Sequence, residues 1–325
     1  MHFDVFNGDA DGVLALLQLR LAEPKESTLI TGVKRDIALL KQVNHSQATS
    51  VTVLDISMEK NAEALNALLT AEVPVTYIDH HRAGAIPKSS KLDALIDTDP
   101  NTCTSLLVNQ RLNNAYVNWA ITAAYGDNMT ASAEALADST GLSLEGRAAL
   151  KALGIYINYN GYGRTVGDLH FDPKVLFRKL LAYPDPLTLV AEQGSIFSQL
   201  EQAYLADMMK AQNATVLFED KSVKVLLLED APWAHRISGV YGNLLANETP
   251  DIAHAVLTPN AVDINAGEET TYTVSVRAPL NNKTGADEVC IQFTTGGGRK
   301  AAAGINQLPQ SQLSRFYSVL SQYYR

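Results

Sequence analysis

Short apolar, β-branched runs alternate with longer stretches of helical period through the first quarter of the chain. HFDVF (2–6) reads as a strand, and DGVLALLQLRLAE (11–23), with leucines three and four residues apart, as a helix. TLITG (28–32) and RDIALLKQV (35–43) repeat the alternation, then VTVLDI (51–56) and EKNAEALNALLTA (59–71), and VPVTYID (73–79) is a fourth strand. Strands separated by helices of these lengths predict right-handed βαβ units and a parallel sheet. From about 103 to 212 the pattern turns mostly helical, clearest in ASAEALADST, LEGRAALKALGIYINY and DPLTLVAEQGSIFSQLEQAYLADMMKAQ. The last stretch predicts a connecting helix over 186–213. ATVLFED, VKVLLLED, IAHAVLT and TYTVSVRAP then read as strands around a helical RISGVYGNLLANE, a second α/β unit. The expected division is a first domain over 1–185, the connecting helix, and a smaller second domain over 214–325.

A chain of 325 residues suits two domains. Hydrophobic residues make up 46% and charged residues 19%, which is enough to build real cores. No early apolar run has the basic flank of a signal peptide, and none approaches the roughly 20 residues that span a bilayer. Cys103 and Cys290 lie far apart in sequence, so free thiols in a reducing cytoplasm are expected, with no membrane partner. The net charge of −9 disfavours a surface that gathers long nucleic acid, while leaving room for a small anion in a local pocket.

The acids change the picture. The first strand ends in FNGDADG with Asp9 and Asp11, the third in VLDIS with Asp55, and the fourth in Asp79-His80-His81. Taken singly, GDADG reads as a turn or calcium loop, Asp55 as a helix cap, and the histidine pair as incidental. Taken together they fall at the carboxyl ends of three parallel strands, the edge where open α/β sheets bind ligands. Four carboxylates and two imidazoles converging there repel one another unless cations neutralise them. The mixed donors suit Mn²⁺, with Mg²⁺, Fe²⁺ or Co²⁺ as alternatives. Two ions about 3.5–4 Å apart, sharing a carboxylate, are the usual clamp for phosphoryl displacement.

GDADG, LDIS and IDHH, in this order and spacing, resemble the motifs of the DHH phosphoesterase family. YGDN (125–128) is similar to that family's fourth motif and adds Asp127, and GGGRKAAAGIN (296–306) resembles the glycine-rich signature of the DHHA1 domain. The resemblance covers nearly the whole chain. It implies a parallel-sheet DHH domain with a helical extension, linked to a smaller α/β DHHA1 domain, with the active-site cleft between them. It further implies two Mn²⁺ ions. Asp55 would bridge them, Asp11, His80 and Asp127 would complete one site, and Asp9 would hold the other ion. Asp79 would orient its neighbours and His81 would face the substrate phosphate. Two departures bear on this. Val5 stands where many relatives have histidine, and Asn7 where an exonuclease-like branch has aspartate, so the first ion is left with Asn7, Asp9, Asp55 and water. Arg299 stands where relatives commonly carry histidine after the glycines.

In the second domain, Gly296, Gly297 and Gly298 let backbone approach an anion, ahead of RKAAAGI, which reads as a small-residue helix start. Arg299 and Arg277 are the candidate phosphate grips. The loop NYNGYGR (158–164) reads either as a turn or as a site wall that stacks a base, and His2, His45, His170, His235 and His254 as structural or surface residues. The implied activity is a phosphodiesterase on short oligoribonucleotides, foremost linear 5′-phosphorylated dinucleotides such as pGpG, with homodimerisation left open. The alternatives are a single-strand exonuclease and a non-catalytic nucleotide sensor.

Overall fold

A computed structural model describes residues 1–260 and 269–325. They form two compact units, Met1–Ala203 and Tyr204–Arg325. In the first unit β1 (His2–Phe6), β2 (Thr28–Ile30), β3 (Ser50–Leu54), β4 (Val75–Asp79) and β5 (Leu92–Ile96) make one sheet in the order β2-β1-β3-β4-β5, with every pair parallel. Helices α1 (Ala10–Ala22) and α2 (Ala62–Thr70) belong to the crossovers, and α3 (Thr104–Arg111), α4 (Val117–Gly126), α5 (Thr130–Thr140), α6 (Leu144–Asn160), α7 (Pro173–Leu180), α8 (Pro186–Ala191) and α9 (Ile196–Ala211) follow.

The inner strands β1, β3 and β4 are buried on both faces. Phe6 joins a core with Leu14, Leu17, Trp119, Leu153 and Phe177, while Val5 and Tyr77 join one with Leu40, Leu65 and Leu68 on the other face. Helix α1 lies inside the first core and is buried almost all round, which accounts for its lack of a polar stripe.

Three expectations about elements are corrected. Residues 35–43 are not a helix. They run as irregular chain into a 3₁₀ turn, Leu40–Gln42. Side chains satisfy this backbone instead: Asp36 Oδ2 accepts the Val33 N–H (3.1 Å), Asn61 Oδ1 accepts the Leu40 N–H (3.1 Å), and Asn61 Nδ2 donates to the Ile37 carbonyl (2.7 Å). The stretch over 186–213 is two helices, α8 and α9, parted where Glu192 is extended (ψ 124°) and Gly194 is left-handed (φ 69°). The third correction is RKAAAGI, which starts a strand.

The second unit holds β6 (Thr215–Glu219), β7 (Val223–Leu227), α10 (Pro232–Glu248), β8 (Ala253–Pro259), β9 (Thr271–Arg277), α11 (Ala286–Cys290), β10 (Gly296–Gly298), β11 (Ala302–Pro309) and α12 (Leu313–Tyr324). Its sheet order is β10-β11-β9-β8-β7-β6, with β7 and β8 the parallel pair and the other pairs antiparallel. Val225, Leu257, Val274, Phe293 and Phe316 lie in its core. The glycine run and RKAAAGI form a β-hairpin. Small residues are needed there because a Cβ on Gly298 would stand 2.4 Å from the Ala303 Cα. Among the described residues no helix is long and apolar enough to cross a membrane.

Candidate metal centre

Register brings the acids level. Phe6 pairs with Leu54, and Leu54 with Ile78, so β1, β3 and β4 end on the same edge of the sheet. The residues that follow, Asn7 to Asp11, Asp55, and Asp79 to His81, therefore emerge together. Asp9 caps α1, its Oδ1 accepting the Gly12 N–H at 3.1 Å. Asp11 Oδ1 and Oδ2 accept the backbone N–H groups of Ser105 (2.7 Å) and Thr104 (2.8 Å) in the first turn of α3. Asp55 has φ 57°, a left-handed backbone that aspartate tolerates better than most residues. Its N–H is held by the Ile78 carbonyl at 3.1 Å and its Oδ1 by the Thr104 hydroxyl at 3.1 Å.

The imidazoles are oriented by their neighbours. His80 Nδ1 lies 3.0 Å from the Thr102 carbonyl oxygen, which can only accept, so Nδ1 carries the proton. Nε2, the nitrogen left for a metal, points at Asp55 Oδ1 (3.4 Å) and Asp11 Oδ2 (3.8 Å). This is the tautomer that a metal-ligating histidine adopts. His81 Nδ1 lies 2.7 Å from Asp79 Oδ1 and 3.8 Å from Asp55 Oδ1. Asp55, His80 and His81 each offer a ligand atom within 4.8 Å of the others.

The electrostatics call for a cation. Burial, then the charges of Asp11, Asp9, Asp79 and Asp127, push the Asp55 carboxyl well above the usual carboxylate range. A divalent ion among these groups offsets both the desolvation and the repulsion, so the donor set fits one.

At Asp9 the chain supplies its own cation, and sequence reading missed it. Lys34 Nζ stands 2.6 Å from Asp9 Oδ2, 3.1 Å from Asn158 Oδ1 and 3.6 Å from Asp127 Oδ1. Burial raises the Asp9 pKa, but the Lys34 charge and hydrogen bond more than reverse this and hold it at about 2. The signal that could have found Lys34 is the one that found the acids. It follows β2, whose carboxyl end lies beside that of β1 in the same parallel sheet.

The stretch 158–164, expected as a loop, begins as the last turn of α6 (158–160) and walls this end of the site. Asn158 bonds Lys34, the Gly161 carbonyl accepts the Lys34 N–H at 2.8 Å, and the Tyr162 ring centroid lies 5.5 Å from Nζ. A Cβ on Gly161 would stand 2.9 Å from the Asp9 Cα.

Asn7 is buried, with Oδ1 accepting the Asp9 N–H (3.1 Å) and Nδ2 donating to the Lys34 carbonyl (3.1 Å). Asp127 ends α4 and reaches the cluster through Lys34. Asn7, Asp9, Asp11, Asp55, Asp79, His80, His81 and Asp127 are thus gathered in the first unit.

Arg277, Gly296, Gly297, Gly298 and Arg299 lie in the second unit. The Arg277 guanidinium donates to Asn243 Oδ1 (2.5 Å), Ser275 Oγ (3.0 Å) and the Gly239 carbonyl (2.9 Å), which braces β9 against α10. Gly296 and Gly298 are required by packing within the unit, a Cβ on Gly296 meeting the Cys290 carbonyl oxygen, while Gly297 faces open space. Arg299 sits at the hairpin corner, where its N–H donates to the Ala302 carbonyl at 2.9 Å.

No protein-family model matches this chain, and no curated protein matches it. Solved structures do. Exonuclease RecJ bound to manganese matches at 17% identity and TM-score 0.59, over 99% of this chain and 90% of that one. RecJ in complex with Mn²⁺ from Thermus thermophilus matches at 17% identity and TM-score 0.63, over 99% of this chain and 52% of that one, so this chain spans about half its length. PggH, a pGpG-specific phosphodiesterase from Vibrio cholerae, matches at 11% identity and TM-score 0.52, over 99% and 98%. The chain has the two-domain α/β fold of RecJ and PggH, with the DHH residues gathered at one edge of its parallel sheet.

Proposed function

We propose that this protein is a metal-dependent phosphodiesterase acting on very short oligoribonucleotides, foremost 5′-phosphorylated dinucleotides such as pGpG. The observation that carries the reading is the convergence of Asp11, Asp55 and His80, with His80 Nε2 aimed at both carboxylates. These donors suit Mn²⁺, with Mg²⁺, Co²⁺ or Fe²⁺ as alternatives. A divalent ion held by Asp11, Asp55 and His80 supplies Lewis acidity toward a phosphoryl oxygen and makes water a better nucleophile near neutral pH.

The chain's own groups do the rest. Thr104 and Ser105 fix the Asp11 carboxylate, and the Thr102 carbonyl fixes the His80 ring. Asp79 takes the His81 Nδ1, which leaves Nε2 of a half-exposed ring for a substrate oxygen. Burial lowers the His81 pKa, but Asp79, with Asp127 and Asp9 behind it, outweighs this and raises it, favouring the cationic form that binds an anionic phosphoryl group. Arg277, Gly296, Gly297, Gly298 and Arg299 are, in this reading, the second unit's own candidates for phosphate contact, Gly297 through backbone free of side-chain obstruction.

The net charge of −9 supports a short substrate over a long polyanion, and PggH, of similar fold, is named for pGpG. The likeness to RecJ favours a second reading, an exonuclease on longer strands. A time course on end-labelled RNA of two to seven nucleotides, with Mn²⁺ at physiological salt, separates them. Dinucleotide hydrolysis abolished by chelation, with kcat/KM at least about tenfold lower for the 7-mer, is the expected result. Equal rates on the 7-mer select the exonuclease. Dinucleotide binding without monophosphate release rejects both in favour of a nucleotide sensor.

A further inference from the structure

We infer that Lys34 is a built-in cation standing where the family pattern calls for a divalent ion at Asp9, so that the centre takes one divalent ion rather than two. The inference rests on the metal-dependent reading above. Two positions where resembled sequences carry a histidine or an aspartate hold other residues here, Val5 and Asn7. Val5 is apolar and fully buried in the core, so it offers no donor. Asn7 spends both ends of its amide on local structure, taking the Asp9 N–H on Oδ1 and giving Nδ2 to the Lys34 carbonyl. Asp9 Oδ1 takes the Gly12 N–H, and its Oδ2 already faces a fixed cation, Lys34 Nζ at 2.6 Å, whereas the N–H groups on Asp11 are neutral.

Lys34 is built into this position. Its N–H is taken by the Gly161 carbonyl (2.8 Å) and its own carbonyl by Asn7 Nδ2 (3.1 Å), so the backbone is pinned on both sides. The next residue is pinned as well, Arg35 Nη2 donating to the Gly163 carbonyl at 3.0 Å. The ammonium meets three oxygens from three elements: Asp9 at the start of α1 (2.6 Å), Asn158 in the last turn of α6 (3.1 Å) and Asp127 at the end of α4 (3.6 Å). An ammonium has three N–H donors and no acceptor, and a small cation between carboxylates would be met by the same oxygens. Asn7 ties the two features together, since the residue standing in for a family aspartate is the one that grips the lysine backbone.

The other half of the cluster differs. Among the described residues the nitrogen groups paired with Asp55 are the imidazoles of His80 and His81, with no lysine or arginine. A divalent ion is needed there and already replaced at Asp9. An ammonium cancels one negative charge and can touch a phosphoryl oxygen, but it does not acidify water as a divalent ion does. The division of labour is therefore one ion for chemistry and one lysine for charge.

Counting ions tests this without any turnover. Metal-free full-length protein is titrated with Mn²⁺ by calorimetry, bound Mn²⁺ per chain is measured after desalting, and the electron paramagnetic resonance spectrum is recorded at saturation. The wild type is expected to bind one Mn²⁺ with an uncoupled spectrum, and Lys34→Met to gain a second, weaker ion. Two ions of similar affinity with a spin-coupled spectrum in the wild type overturn the inference and leave the metal-dependent reading intact. A Lys34→Met variant that still binds one ion also overturns it. No Mn²⁺ bound to the wild type removes the metal-dependent reading itself, and the inference with it. If Lys34→Met fails to fold, the wild-type count and spectrum decide.

Discussion

His81 Nδ1 lies 2.7 Å from Asp79 Oδ1, and the other oxygen of that carboxylate, Oδ2, is buried without a hydrogen-bond partner. A carboxylate kept in so dry a place for one imidazole is there to orient and polarise it. Asp79→Asn keeps the size and removes the charge. It is expected to lower kcat on a dinucleotide by about 10- to 100-fold, while Mn²⁺ affinity changes much less. Steady-state kinetics with a parallel Mn²⁺ titration checks this. Equal loss of both would mean that Asp79 supports the metal ligands rather than His81.

Asp55 should show opposite effects on function and stability. Its charge is disfavoured by burial and then by Asp11, Asp9, Asp79 and Asp127, so above the usual carboxylate range it destabilises the metal-free fold. Asn tolerates the left-handed backbone at φ 57° about as well as Asp. Asp55→Asn should raise the Tm of protein in chelator, weaken Mn²⁺ binding, and cut kcat by at least about a hundredfold. Thermal melts with and without Mn²⁺ decide it, and a lower Tm in chelator would contradict the charge argument.

Gly161→Ala asks whether the stretch 158–164, from the end of α6 onward, belongs to the site. The added methyl would meet the Asp9 Cα at 2.9 Å and the Gly8 carbonyl oxygen at 3.1 Å, with backbone rather than flexible side chain in the way. The backbone there (φ −73°) is open to alanine, so the effect is steric alone. A stability loss of about 1–3 kcal/mol in urea is expected, together with a fall in kcat as Asp9 shifts. Unaltered activity would place this stretch outside the working site.

Acid sensitivity should trace to the far end of β1. Asp4 is fully buried, with Arg20 Nε 2.9 Å from Oδ2, Arg20 Nη2 2.5 Å from Oδ1 and His2 Nε2 3.0 Å from Oδ1. Burial raises its pKa, but the His2 and Arg20 hydrogen bonds and the Arg20 charge prevail and lower it from 3.8 to about 2. A depressed folded pKa means stability that is present above 3.8 and lost as pH falls through about 2. Asp4→Ala leaves Arg20 buried without its carboxylate and should cost about 3–5 kcal/mol near neutral pH. The gap between variant and wild type should narrow as pH falls from 4 towards 2 in urea titrations. A gap independent of pH would show that packing, not charge, is lost.

Asp9, Asp11, Asp55, Asp79, His80 and His81 were legible in the sequence because strand periodicity, with parallel connection, puts strand ends on one edge, and residues just past those ends must meet there. Asp127 was legible through a motif alone, since it ends a helix and periodicity says nothing about where that end points. Lys34 was not legible. It sits in a stretch whose apolar spacing reads as a helix, yet Asn61 and Asp36 satisfy that backbone by side chain, and Gly161 and Asn7 pin the lysine in place. The turn from RKAAAGI into a strand has the same kind of cause, since Ala303 must lie against Gly298 on the neighbouring strand. Hydrophobic period determined which segments are strands, how they connect and which acids crowd together, because burial of apolar surface is a property of each segment in turn. The tertiary structure alone decided which cation meets which acid, because a buried charge is placed by oxygen atoms from elements that are distant in sequence and meet only when the cores are packed.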